Sequence, residues 1–189
     1  MGAVFVGSQD GRVYAFDLET GCTKWVFSAS AEVRTGIVLS TPSEQVSEKN
    51  PPLAFFGDLL GRAYAVNALN GKLVWSIRTD DHPSTTLTGT PAYYQGVLFI
   101  PISSLEVVPA ADPNYSCCSF RGSLLAVNGE TGATIWRHYA IPDKPKIIGK
   151  TKLGTDVIAP SGAPIWTSPT VDPKRNLLYV GTGENYSSP

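Results

Sequence analysis

Little in this chain points to a charged or membrane-bound partner. Its 189 residues carry 15 Lys and Arg against 16 Asp and Glu, a net charge of −1. No basic stripe suits nucleic acid, and no polybasic patch suits a lipid headgroup. No apolar run approaches the roughly 20 residues that a transmembrane helix needs, and no signal-peptide pattern opens the chain. Cysteine is scarce: Cys22 stands alone and reads as a small filler in a turn, while Cys117 and Cys118 are neighbours. His82 and His138 have no ligand-like spacing and there is no second Cys pair, which argues against zinc.

What the chain has instead is self-similarity. Tyr14-Ala15-Phe16-Asp17-Leu18-Glu19-Thr20-Gly21-Cys22-Thr23-Lys24-Trp25 is echoed by Tyr64 to Trp75 and again by Leu125 to Trp136. Each copy keeps an Ala, an Asp or Asn two residues later, a Gly four after that, and a Trp four further on. The Trp residues lie 50 and 61 residues apart, room for four short strands and their turns, the size of one propeller blade.

The copies read as strand–turn–strand. Stretches such as Arg12-Val13-Tyr14-Ala15-Phe16 are rich in β-branched and aromatic residues. The Asp or Asn bonds its own following backbone and the Gly supplies positive φ. A further strand pair is expected upstream of each copy, clearest in Thr90–Ile100 with a turn at Gln95-Gly96. The repeated Trp closes the gap between neighbouring blades. Val4–Ser8 reads as mid-blade and Asn176–Gly183 as the opening of a fourth blade. The expected fold is therefore all-β: one partial propeller domain over residues 1–189, with three four-stranded blades and the start of a fourth.

The Asp/Asn-x-x-Thr-Gly-x-x-x-Trp core (Asn70 replaces the Thr in the second copy) resembles that of the quinoprotein alcohol dehydrogenases, propellers that carry pyrroloquinoline quinone (PQQ). Two longer segments, Asp112–Gly122 and Trp166–Pro173 followed by Gly181–Ser187, resemble the polyvinyl alcohol dehydrogenases within that family. The resemblance implies an eight-bladed ring, with PQQ lying flat at its centre on a stacked Trp and a calcium ion bridging it to the protein. Carried onto this chain, the stacking Trp is Trp166, and Thr88 and Ser104 face the cofactor carboxylates. The calcium ligands are Glu106 and Glu184, where the family has Asn in place of Glu184, with Asn185 alongside. Upstream of Trp166, Ser161-Gly162-Ala163-Pro164 is a small-residue loop that lets something approach the backbone closely.

The Cys117-Cys118 pair resembles the vicinal cysteines of the same family, where the suggested role is electron transfer or holding the cofactor. A pair of free thiols on a loop is the alternative. Arg121, just after them, is placed to reach a carboxylate bidentately, or else is a plain surface Arg. No catalytic residue is assigned within the chain, because the resemblance puts the base Asp beyond Pro189. The implied reaction oxidises secondary or polymeric alcohols to carbonyls and passes electrons to a cytochrome c, in the periplasm or outside the cell. The rival is a non-catalytic propeller that presents its loops to a protein partner, as outer-membrane assembly scaffolds do. A sugar dehydrogenase of the same fold would differ only in its substrate loops.

Overall fold

The computed structural model describes residues 2–40 and 51–187; Pro189, beyond which the base was expected, lies outside them. Strand β1 (Ala3–Gly7), β2 (Arg12–Asp17) and β3 (Thr23–Ser28) form an antiparallel sheet in that order. A second sheet follows: β4 (Val38–Leu39), β5 (Leu53–Gly57), β6 (Arg62–Asn67) and β7 (Leu73–Arg78), again in chain order. The third contains β8 (Thr85–Thr86), β9 (Ala92–Tyr94), β10 (Val97–Ser104), β11 (Ser123–Asn128) and β12 (Thr134–Tyr139). Its central path runs β12-β11-β10-β8, with β9 also paired to β10. The fold is all-β with propeller-type blades. The first blade shows three strands rather than the expected four, and the third shows five.

Period-two patterning explains the stacking. Leu53 and Phe55 of β5, with Ala63 and Ala65 of β6, pack against Leu98, Ile100 and Leu125 of the third sheet. The intervening Ala54 and Phe56, with Tyr64 and Val66, pack against Val13, Ala15 and Trp25 of the first. The middle sheet is thus buried on both faces, and β5 is buried along its whole length.

The repeated motif folds as a hairpin each time: β2–β3, β6–β7 and β11–β12. Asp17 Oδ1 accepts from the Glu19 and Thr20 N–H groups at 3.2 and 3.0 Å. Asn128 accepts equally from Glu130 and Thr131 at 3.0 Å each, and Asn67 from Leu69 at 2.8 Å. The repeated Ala lies opposite the repeated Trp in all three registers (Ala15–Trp25, Ala65–Trp75, Ala126–Trp136), so a small residue makes room for the indole. The first two Trp residues then dock on the next blade. Trp25 Nε1 donates to Ala68 O at 3.1 Å, and Trp75 Nε1 to Gly129 O at 2.8 Å. Trp136 has no such partner among the described residues and is 41 % exposed.

After the third blade come a hairpin, β13 (Lys146–Lys150) with β14 (Asp156–Ala159), and two short pairs. In these, β15 (Ser161–Gly162) joins β18 (Asn185–Ser187), and β16 (Thr170–Asp172) joins β17 (Leu177–Tyr179). The strand expected over Asn176–Gly183 stops at Tyr179, and the Gly181-Thr182-Gly183 run is irregular backbone. Cys22 is a free, exposed thiol rather than a packing filler, because the turn that carries it faces solvent.

Candidate functional site

The inner end of β10 builds one wall of a pocket. Pairing of Ser103 with Thr86 and Ser104 with Thr85 ends the strand in a patch of hydroxyls. Against it lies the segment from Pro164 to Trp166, tied to β10 by the Ile165 N–H donating to Ile102 O at 3.0 Å. Gly183 N donates to Pro164 O at 2.8 Å and so lays the glycine run along the same segment. The resulting pocket, about 150 Å³, is lined by Thr86, Thr88, Ser104, Trp166, Glu184 and Tyr186 among others. Four residues named from sequence, Thr88, Ser104, Trp166 and Glu184, are thus brought together although nearly a hundred positions separate the outermost two.

Two features of this pocket stand out from ordinary packing. Trp166 is 58 % exposed, an unusual state for an indole unless something covers it. Thr86 is buried, and its Oγ1 has no hydrogen-bond partner. An orphaned hydroxyl in a pocket wall is a donor waiting for an acceptor. Tyr186 lies in the Gly181–Ser187 segment that the sequence singled out, but nothing there marks its side chain as part of a site. Burial pushes its phenol up to about 12; the Ser104 side chain pulls the other way, and the negative charges of Glu184 and Glu106 add to the rise. Its hydroxyl donates to the Ser104 carbonyl at 3.3 Å.

The other candidates sit elsewhere. Glu106 is fully buried, and both its oxygens face its own loop. Oε1 accepts from Ser119 N at 2.9 Å and from Tyr115 Oη at 3.1 Å, while Oε2 accepts from Phe120 N at 2.8 Å. His82 Nε2 lies 3.6 Å from Oε1. Burial alone would raise this carboxyl, but His82 and the two backbone N–H groups outweigh it and hold the pKa down at about 2. Glu184 is exposed in the pocket, and Asn185 begins β18 with its side chain exposed. Among the described residues no three His, Cys, Asp or Glu side chains cluster as a metal site. The three side chains offered for calcium are thus placed differently: Glu106 gives its oxygens to its own loop, while Glu184 and Asn185 are exposed.

Cys117 and Cys118 are joined as a disulfide, and Cys118 is completely buried. Their segment pairs with β14: Cys118 N donates to Ile158 O at 3.1 Å and Ile158 N to Cys117 O at 2.6 Å. Arg121 meets no carboxylate. Its Nη1 donates to the carbonyls of Ile141 and Pro142 at 3.2 and 2.8 Å, and its guanidinium lies 3.8 Å over the Tyr139 ring. The small-residue loop receives backbone of this same chain. A Cβ on Gly122 would collide with Ala163 O, and one on Gly162, whose φ is 102°, would strike Tyr186 N.

Comparison with known proteins bears on these residues. A family model, PQQ_2, described as outer membrane protein assembly factor BamB, matches residues 1–107. The polyvinylalcohol dehydrogenase of a Pseudomonas species is 37 % identical over 185 residues, which span 97 % of this chain and 28 % of that protein. The quinohemoprotein alcohol dehydrogenase ADH-IIG of Pseudomonas putida is 29 % identical, covering 96 % and 26 %. The crystal structure of quinohemoprotein alcohol dehydrogenase from Comamonas testosteroni superposes with a TM-score of 0.71 at 23 % identity, over 98 % of this chain and 28 % of that one. The chain spans little more than a quarter of the length of these relatives.

Proposed function

Because this chain belongs to the PQQ_2 family, and its likeness to quinoprotein alcohol dehydrogenases runs almost its whole length, we propose that it is a cofactor-holding segment of a PQQ-dependent alcohol dehydrogenase. One observation carries the reading: a half-bare indole stands in a pocket lined by the hydroxyl-bearing Thr86, Thr88 and Ser104. That combination suits a flat, polar, anionic ring. Trp166 would form its floor, and the hydroxyls of Thr86, Thr88 and Ser104 would donate to its carboxylates. Leu105 and Val107, exposed beside the pocket, would keep water from its rim. Tyr186, held neutral well above physiological pH, adds no charge beside the anion while its O–H stays on the Ser104 carbonyl.

When bound, PQQ would supply a quinone that accepts the hydride of an alcohol, and with it the two electrons of the oxidation. The rest of the enzyme's chemistry is proposed from likeness alone: secondary or polymeric alcohols as substrate, a cytochrome c as acceptor, and a periplasmic or secreted setting. Among the described residues no helix is long and apolar enough to cross a membrane. Calcium has no part in this reading, because the Glu106 carboxylate is taken up by N–H groups of its own loop.

The test is a titration of PQQ into the protein, followed by quenching of indole fluorescence. Micromolar binding is expected, weakened about tenfold in Trp166→Ala through the loss of stacking and buried area. Dye reduction with polyvinyl alcohol against simple secondary alcohols then ranks the substrates. Equal affinity in the variant, or no binding by the folded protein, overturns the reading. The second outcome favours a non-catalytic scaffold, which the family model's description supports. That match stops at residue 107, however, and Trp166, Glu184 and Tyr186 lie outside it.

A further inference from the structure

Among the described residues Glu106 is the one fully buried carboxylate beside the pocket, and the proposed function makes no use of it. We propose that Glu106 is a positioning residue that clamps the Cys117–Cys118 disulfide to the pocket wall. The wall side of the clamp is short. The Glu106 N–H donates to Ser104 Oγ at 2.8 Å, and Ser104 lines the pocket while its carbonyl receives the Tyr186 hydroxyl. On the disulfide side, the two carboxylate oxygens take the N–H groups of Ser119 and Phe120, the residues that directly follow Cys118. Tyr115, two residues before Cys117, closes the loop by donating to the same carboxylate. The cystine turn is thus gripped from both flanks by one anion.

His82 seals the grip. Its Nδ1 accepts from Ser84 N at 3.2 Å, which leaves the proton of the neutral ring on Nε2, facing Ser119 Oγ at 3.0 Å and Glu106 at 3.6 Å. Phe120 stacks edge-on to His82 and packs near Tyr186, so the apolar filling of the clamp also reaches the pocket. Hydrogen bonds to a charged, buried acceptor are the strong kind, and a carboxylate that accepts three or more of them has little capacity left for a cation. The same geometry that makes Glu106 a good clamp makes it a poor calcium ligand. The inference stands whether or not the pocket takes PQQ.

Opening the disulfide with dithiothreitol tests it. The reagent is oxidised to its cyclic disulfide while Cys117 and Cys118 become two thiols, which a chromogenic thiol reagent counts, after the dithiothreitol is removed, over the constant background of Cys22. Glu106→Gln turns one acceptor into a donor facing N–H groups, and thiol release in the folded protein is expected to quicken about tenfold. Val66→Ala, a cavity in the first interface, lowers the melting temperature without altering the rate of release, which separates the clamp from general loosening. Should Glu106→Gln fail to fold, Tyr115→Phe with Ser119→Ala removes two hydroxyl donors, the Tyr115 Oη and the Ser119 Oγ that lies 3.4 Å from Oε1, and is expected to quicken release about threefold. Calcium titration is expected to be the same in wild type and in Glu106→Gln. Unchanged thiol release in the clamp variants, or calcium binding that is lost with Glu106, overturns the proposal.

Discussion

A single side chain can tie blades together through more than its surface. Tyr64 sits between the first two sheets, its hydroxyl donating to Asp58 Oδ2 at 2.7 Å and accepting from the Ser30 N–H at 3.0 Å. Burial raises its phenol above the ordinary value of 10.0, and the neighbouring Asp58 adds to that against the Ser30 bonds. The raised group is an acid that the folded state keeps protonated. Its contribution to stability is therefore complete below pH 10 and is lost as pH rises through the higher folded value. Tyr64→Phe is expected to be less stable than wild type at neutral pH, with the gap closing on the alkaline side, as urea melts from pH 8 to 11 would show. A gap that stays constant with pH would count against this linkage. None of this was legible in the sequence, where Tyr64 is only the opening letter of a repeat. The sequence did mark Trp25 and Trp75 as blade-closing residues, because large rings recurring at blade spacing have only a neighbour to bury against.

At the scale of the element, the repeated hairpin is a local device with a long-range consequence. Gly21, Gly71 and Gly132 hold the same turn position with φ of 70°, 72° and 72°, a region that side chains with a Cβ enter at a cost. Gly21 faces open space, whereas a Cβ on Gly71 or Gly132 would lie 2.8 or 2.9 Å from the indole of the preceding blade's Trp. The three glycines therefore separate backbone strain from blade docking. Gly21→Ala is expected to cost roughly 1 kcal/mol, the backbone term alone. Gly132→Ala adds a clash with Trp75 and is expected to cost roughly 2–4 kcal/mol in total. Thermal melts of the two variants measure the difference, and equal losses would mean that the indole yields freely. The turn chemistry was readable from Asp17, Asn67 and Asn128 because each acts within four residues of itself. The β13–β14 hairpin was not read, since Lys146-Ile147-Ile148-Gly149-Lys150 neither repeats nor alternates.

The whole molecule is a stack of sheets in which each interface has its own core. The middle sheet is covered on both sides, while every residue of β13 is exposed. Stability follows that order in a structure whose units touch only their neighbours. Amide hydrogen exchange is expected to be slowest in β5, β6, β10 and β11 and fastest in β13, by at least about a hundredfold. Uniform protection across the sheets would contradict the layered picture. What the sequence determined by itself is the repeat, its hairpins, the all-β class and the Trp docking rule, all governed by interactions within a dozen residues or by strict periodicity. It also marked out Thr88, Ser104, Trp166 and Glu184, which the fold gathers round one pocket. Only the tertiary structure decided between the carboxylates. Glu106 and Glu184 look alike in the sequence, each following a strand-like run, yet one is buried under donors from residues 115–120 and the other lies open in the pocket. Whether a carboxylate is spent on its own protein or left for a ligand depends on which N–H groups converge on it, and that convergence is made by the fold.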